Sequence, residues 1–480
     1  MSGAGYQSPL GTRYASPAMQ HLWGEVHRIG LWRRLWLALM ETERELGLDI
    51  PEEAVEQLRS HLDDIDLAAA AQYERRFRHD VMAHVHALGD LAPAARRFVH
   101  LGATSAFVTD NADLIVMRDG MRLLLGRLVA LLNILATFAR KRAALPCLAY
   151  THFQPAQLTT VGKRATLWAQ DLALDVEELC HRIETLRFLG CKGTTGTQAS
   201  FLELFKGDDA KVRELDRRIA ERMGFGRPFA VSGQTYPRKT DSAVLDTLSG
   251  IAQSAAKMSG DLRLLQHEGE LLEPFESEQI GSSAMAYKRN PMRAERIGSL
   301  ARFVISLQQN PAQTAATQWL ERTLDDSANR RLVLPEAFLA TDAILVLATN
   351  ILAGLEVREP VIARNVIAQM PFMATERWLM LGVESGGDRQ ELHEVIRSAS
   401  IAVSAQVSTG GENDLQQRLA SHSAFARVPA GAFAAALDPA QYTGRAEAQV
   451  GEFLKEYLNP VLTRAAAMAA PVVATEEVRV

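Results

Sequence analysis

The sequence predicts an all-α protein organised around a long central helical bundle. Three observations carry that prediction. Apolar residues recur at three-and-four spacing over segments of about 30 residues, the pattern of a helix face. Strand signals are sparse. The chain has 480 residues, more than one compact core usually holds, and at about 150 residues per domain this suggests roughly three domains.

The opening 104 residues read as shorter helices, such as Leu31–Leu46, ended by Gly47 and Pro51. A long helix follows from Asn111 to about Ala144, with apolar positions at Leu114, Met117, Met121, Leu124, Leu128, Leu131, Leu135 and Phe138. Asp110 is its expected N-cap and Pro146 its stop, and at 1.5 Å per residue it runs about 50 Å. Similar stretches are expected at Leu158–Leu189, Asp241–Leu272, Pro291–Trp319 and Ala328–Leu355. Pro311 and Pro335 should kink or restart the last two. Phe229–Tyr236 is the best strand candidate, and Gly193–Gln198 reads as a loop. Beyond residue 357 shorter helices return, broken at Gly386-Gly387 and Gly410-Gly411. The expected division is 1–104, 105–357 and 358–480. Helices of this length cannot bury their apolar faces in a compact globule, so they pack side by side, with room for a partner subunit to continue the bundle.

Composition narrows the function classes. With 47% apolar, 23% charged and 6% aromatic residues, the chain is not of the disordered type. Its 52 Lys and Arg against 57 Asp and Glu leave a net charge of −5, unlike a general nucleic-acid binder. Any anion it holds must therefore be gripped by a local cluster. Cys147, Cys180 and Cys191 are too few and too irregular for a disulfide framework or a zinc motif, and read as free thiols in a reducing compartment. Residues 1–16 have no apolar signal core. The most apolar stretch, Leu123–Phe138, is interrupted by Arg127 and Asn133, short of the roughly 18 apolar residues of a membrane span. The expectation is a soluble, cytoplasmic chain with no membrane or nucleic-acid partner.

Four polar stretches could carry chemistry. Gly281-Ser-Ser-Ala-Met-Ala-Tyr-Lys-Arg-Asn-Pro-Met292 reads as a loop entering a helix, with Asn290 as N-cap and Pro291 in the first turn. Lys288, Arg289 and that helix N-terminus would favour a carboxylate; the same composition also suits a capped surface loop. In Arg78-His79-Asp80-Val-Met-Ala-His84-Val-His86, His79 and His86 fall within roughly 20° on a helix and His84 points elsewhere. This lacks the i, i+4 pair of a helical zinc site, so no metal is expected. Thr151-His152-Phe-Gln-Pro-Ala-Gln157 places a histidine in a turn, free for acid or base work or merely structural. Glu321-Arg322-Thr-Leu-Asp-Asp-Ser327-Ala-Asn-Arg330-Arg331 could offer guanidinium forks and a hydroxyl to a phosphate. By spacing alone it reads first as a solvated face with local Asp–Arg pairs, capped by Asp325, Asp326 or Ser327.

Taken together and in this order, these stretches resemble the adenylosuccinate lyase family, in its animal-like form, within the fumarase/aspartase superfamily. The resemblance runs over essentially the whole length. It rests on residues 281–292, 151–157 and 322–331, supported by Arg78–His84, Leu101-Gly-Ala-Thr-Ser105 and Lys192-Gly-Thr-Thr-Gly-Thr-Gln198. It implies a three-domain lyase whose long helices form a homotetramer core, with each active site built from three subunits and no cofactor. The implied reaction is β-elimination of fumarate from adenylosuccinate, giving AMP, and from the succinyl-carboxamide ribotide SAICAR, giving AICAR. By the same resemblance Ser282 is the general base and His152 the general acid. Lys288 and Asn290 serve the carbanion-like intermediate, whose extra negative charge needs fixed donors. Arg13, Tyr14, Arg322, Ser327 and Arg331 match positions that hold the nucleotide and its phosphate. Arg78, His79, Asp80, Thr104, Ser105, Gln234 and Arg296 match other substrate contacts. An argininosuccinate-type lyase and a silent scaffold on the same fold are the competing readings. The 322–331 stretch disfavours the first, and intact Ser282, His152, Lys288 and Asn290 the second.

One position departs from the family pattern, in which the loop reads Ser-Ser-Ala-Met-Pro: residue 286 is alanine. Proline would fix φ and lower the entropy lost on ordering. Ala286→Pro is therefore expected to raise turnover or lower KM in a fumarate-release assay, and unchanged values of both would refute the entropic argument.

Overall fold

The computed structural model describes residues 5–276, 278–280, 284–285, 287–429, 431–472 and 478. After a π-type turn at Leu10–Tyr14, the chain opens with α1 (Pro17–Leu22) and α2 (Glu25–Glu45). Ser16 caps α1 by accepting from the Met19 amide at 3.2 Å, with Pro17 in the first helical position. As expected, α2 is closed by Gly47, whose φ is 101°. Three shorter helices follow, α3 (Glu52–Ser60), α4 (Leu67–Phe77) and α5 (Asp80–Leu91).

The long helix α6 (Ser105–Lys141) has 37 residues and spans about 55 Å. It starts ahead of Asp110, with Thr104 in the cap position. Asp110 is therefore not a cap. It is a buried residue inside the helix, tied to Arg238 at 2.9 Å, a stronger partner than a helix N-terminus. The expected helix from Leu158 is likewise corrected. An antiparallel hairpin comes first, β1 (Pro146–Thr151) with β2 (Gln154–Thr160), and only then α7 (Val161–Thr185). Prolines 146 and 155 and the β-branched pair Thr159-Thr160 disfavour helix there. Thr160 accepts from the Lys163 amide at 3.1 Å and caps α7. The end of α6 and the start of α7 meet at Gly162, where a Cβ would stand 2.3 Å from the Ala139 carbonyl oxygen.

Next come α8 (Ala199–Leu204), α9 (Asp209–Arg222), α10 (Lys239–His267) and the short strand β3 (Leu271–Leu272). Phe229–Tyr236 forms no strand. Its amides are spent in three directions, Phe229 on Phe188 O (2.8 Å), Gln234 on Glu321 O (3.0 Å) and Tyr236 on the Asp110 carboxylate (3.2 Å). The stretch from Pro291 divides into α11 (Met292–Leu307) and α12 (Gln309–Thr317) at Gln308. Pro311 is not the break. It sits in the first turn of α12, where a missing N–H is harmless. The following helix α13 (Asp326–Ala353) runs on through Pro335, since burial on both sides of that residue outweighs one lost hydrogen bond. β4 (Glu356–Val357) pairs with β3. The chain ends in α14 (Glu359–Met373), α15 (Thr375–Glu384), α16 (Arg389–Ser408), α17 (Leu415–Ala420), α18 (Ala432–Ala435), α19 (Ala446–Glu452) and α20 (Asn459–Ala466).

One continuous core joins α2, α6, α7, α10, α11 and α13. A second core around Trp378, Phe425 and Phe433 belongs to α15–α18 and their connections. α20 returns to the main core, where Arg464 pairs with Glu184 on α7 at 2.8 Å. By length and composition α6 and α13 could cross a membrane, but 61% and 78% of their most apolar windows are buried inside the bundle. The three cysteines are free and buried, and burial pushes the Cys147 thiol up to about 11.

Glu43 on α2 is fully buried, and among the described residues neither carboxylate oxygen has a hydrogen-bond partner. Burial holds its pKa well above the usual 4.5. The unfolded chain releases this proton near 4.5 while the folded chain keeps it, so stability falls as pH rises from there towards the folded pKa. Glu43→Leu, close in volume, is expected to stabilise the chain at pH 7 by about 1–3 kcal/mol. In thermal melts the gain should shrink towards pH 4.

Candidate active site

Three stretches distant in sequence meet where α5, α6 and α13 begin. Arg78 ends α4 in the left-handed conformation (φ 57°), and His79 follows as N-cap of α5. His79 Nδ1 accepts from the Met82 amide at 3.3 Å, and its Nε2 faces Ser105 Oγ at 3.3 Å. Asp80 Oδ2 accepts from Arg331 Nη2 at 3.2 Å. Thr104 and Ser105 open α6. His79 lies outside the helix, so it shares no helix face with His86, contrary to the spacing expectation. His86 stacks on Tyr73 at 5.4 Å and lies tilted against Phe77 at 4.7 Å instead, and His84 meets the Trp32 ring edge-on at 5.5 Å. Sequence reasoning missed His100, whose Nδ1 accepts from Trp36 Nε1 at 3.0 Å and whose pKa burial pushes down to about 4.

Gln234 joins this group through backbone packing. Its amide donates to Glu321 O (3.0 Å) and its side chain to Thr194 O (3.1 Å). At Gly233 a Cβ would stand 2.4 Å from the Glu321 carbonyl oxygen, so only glycine lets these loops close. Arg322 Nη1 donates to both oxygens of Asp326, at 3.1 and 3.0 Å. Local Asp–Arg pairing is thus present, but one partner is deeply buried. Asp325 occupies the N-cap of α13 without capping by its side chain, which accepts from Thr323 Oγ1 at 3.2 Å. Ser327 follows in the first turn, half-buried.

A second group lies at the other end of α10. Ser282 lies outside the described residues, as does Ala286, but both ends of their loop are described. The expected Asn290 cap is not formed: α11 starts at Met292, and its N-terminus is taken by the carboxylate of Glu273. Glu273 accepts from the amides of Arg293 (3.1 Å) and Ala294 (2.6 Å). A carboxylate does sit on this helix N-terminus, but it is the chain's own. Burial nevertheless raises the Glu273 pKa. Gln266 ties the neck from α10, donating to Arg289 O (3.0 Å) and accepting from the Glu273 amide (3.2 Å). Arg289 is spent on Glu356 at 2.8 Å and stacks over Phe275, which leaves Lys288, exposed, as the loop's outward cation. Asn290 is half-buried beside it. Arg296 lies over the Tyr14 ring at 5.2 Å, joining Arg13 and Tyr14 of the N-terminal turn to α11.

His152 lies on a third element, the β1–β2 hairpin. Residues 152 and 153 form the two-residue tip of the hairpin, with φ 52° and 57°. Both are left-handed, as a type I′ turn requires, although neither is the usual Asn or Gly. Such strain at a tip is typical of functional sites. The side chain is exposed, and among the described residues His152 has no hydrogen-bond or ion-pair partner. Since α10 has 29 residues, about 43 Å, the Arg322 group at its start and the Lys288 group past its end cannot share one ligand within a single chain. No group of three His, Cys, Asp or Glu side chains suited to a metal ion occurs among the described residues.

A family model described as lyase matches residues 50–306, and one described as adenylosuccinate lyase C-terminus matches 371–453. Adenylosuccinate lyase of Saccharomyces cerevisiae is 50% identical over 461 residues, covering 95% of each chain. The Schizosaccharomyces pombe enzyme is 48% identical over the same span. The chain belongs to the adenylosuccinate lyase family. More distant members include adenylosuccinate lyase of Pyrococcus horikoshii, 32% identical over 82% of this chain and 86% of its own. The fold extends beyond the family: the crystal structure of 3-carboxy-cis,cis-muconate lactonizing enzyme from Pseudomonas putida superposes with a TM-score of 0.79. That structure is 24% identical and covers 96% of this chain and 99% of its own.

Glu273→Ala removes both acceptors at the α11 N-terminus and is expected to lower stability by about 1–2 kcal/mol in denaturant melts. Glu273→Gln keeps one acceptor and should lose less.

Proposed function

We propose that the chain cleaves adenylosuccinate to AMP and fumarate, and SAICAR to AICAR and fumarate, by β-elimination without a cofactor. The observation that carries this reading is the likeness to two fungal adenylosuccinate lyases over 95% of the chain. The reaction needs a base for the proton beside a carboxylate and an acid for the leaving nitrogen. Ser282 is the base and His152 the acid. Lys288 and Asn290 hold the carboxylate on which negative charge builds, Arg296 contacts the substrate beside them, and Arg13 and Tyr14 hold the nucleotide. His79 meets the substrate beside Ser105, and Arg78, Asp80, Thr104 and Gln234 complete the substrate contacts.

The phosphate falls to Arg322, Ser327 and Arg331. The helix N-termini of α5, α6, α10 and α13 gather here, and their dipoles favour an anion. This resolves the mismatch between a substrate of roughly four negative charges and a chain of net charge −5.

The same reading makes the enzyme a cytoplasmic homotetramer with each site shared between subunits. The distance between the two residue groups supports it, as does His152, which has no partner among the described residues. So do exposed apolar side chains on the hairpin and α7, namely Phe153, Leu167 and Leu174. The division into 1–104, 105–357 and 358–480 belongs to this reading too, supported by the separate core around Trp378.

The direct test is absorbance-monitored conversion of adenylosuccinate and SAICAR by the purified chain. His152→Ala and Ser282→Ala should each abolish turnover, and Ser282→Ala at the parent rate would remove Ser282 as base. If sites are shared, the two inactive variants, unfolded together and refolded, recover part of the activity; no recovery would count against sharing.

A further inference from the structure

Beneath the 322–331 stretch, four side chains of alternating charge form one row. Asp110 on α6 accepts from both terminal nitrogens of Arg238, at 2.9 and 3.2 Å. Arg238 Nε donates to Asp326 Oδ2 at 2.7 Å, and Asp326 in turn receives Arg322 Nη1 on both oxygens. The Arg238 guanidinium lies over the Tyr236 ring at 4.5 Å, and the Tyr236 amide donates to Asp110. The inner three side chains are at most 4% exposed, whereas Arg322 keeps 27%. Two acids and two bases cancel. A neutral buried row of this kind adds little stability over an apolar filling of the same space, so stability alone does not account for it.

What the row accomplishes is visible at its outer end. Arg322 spends only Nη1. Among the described residues nothing else bonds its guanidinium, so Nε and Nη2, which form one edge of the planar fork, remain unspent. A planar two-donor edge matches a pair of phosphate oxygens. An unrestrained arginine would lose much rotamer freedom on binding; here that freedom is already restricted by Asp326. Ser327 and Arg331, on the same helical start, lie within one turn.

We propose that Asp326, backed by Arg238 and Asp110, is a positioning residue that aims the free edge of Arg322 at the phosphate of the substrate. This rests on the functional reading above. The test compares kcat/KM for adenylosuccinate with that for the same compound lacking its 5′-phosphate. Asp326→Asn should reduce the parent's preference for the phosphate form by about tenfold or more, while kcat at saturation stays within about twofold. Arg322→Ala should remove the same preference, and adding Asp326→Asn to it should reduce the preference no further. An equal fall on both substrates, or a further loss of preference in the double variant, would overturn the proposal. If Asp326→Asn does not fold, Arg238→Lys, which keeps the charge but not the fork, must show a smaller fall in the same preference; an unchanged preference rejects the assignment. If the parent turns over neither compound, the functional reading falls by itself. The phosphate grip is then read by calorimetry as AMP against adenosine, where Asp326→Asn must still narrow the gap in affinity or the proposal is wrong.

Discussion

The rest of the structure depends on the burial of α6. Its residues from Ala106 to Ala139 are buried on most sides, which no single neighbour can achieve, so α2, α7, α13 and α20 are drawn along it. The hydrophobic effect acts here without direction; direction comes from a few polar ties between helices. Arg127 on α6 pairs with Asp342 on α13, and the Ser16 amide donates to that same carboxylate at 2.7 Å. Breaking one side of such a tie leaves an uncompensated charge in the core, so these ties specify register more than they add stability.

That register sets where chemistry can occur. With α6, α10 and α13 aligned, Asp110, Arg238 and Asp326 come together near their starts, and the stretches that carry Arg322, Gln234 and His79 follow. The opposite end of α10 leads into β3 and the Glu273 neck, so the loop that carries Lys288 is mounted on the far side of the bundle. A long helix is a ruler, and its length separates functions that a compact fold would bring together.

The two ends also manage charge differently. At the Arg322 end, buried Asp326 pairs with Arg322 and half-buried Asp80 with Arg331, where several helix N-termini gather. At the loop end, Glu273 and Glu356 neutralise the α11 N-terminus and Arg289, so the cation left facing outwards is Lys288. The carboxylates of Asp110 and Asp326 at one end and of Glu273 at the other are buried, whereas Glu356 is exposed.

Much of this was legible in the order of residues, because helical periodicity and short polar stretches are local properties. The long helices, the loop at 193–198, the breaks at the glycine pairs and the turn carrying His152 all follow from neighbours in the chain. The sequence also identifies the family, since the stretches at 151–157, 281–292 and 322–331 occur together and in order. Tertiary structure decided what depends on partners far away in sequence. Asp110 left the cap for a buried pair with Arg238, residues 229–236 spent their amides in three directions instead of a strand, and Glu273 displaced Asn290 at the α11 N-terminus. In each case a long-range hydrogen bond or ion pair in a low-dielectric interior outweighed a local preference worth about 1 kcal/mol, and spacing along the chain carries no record of that competition.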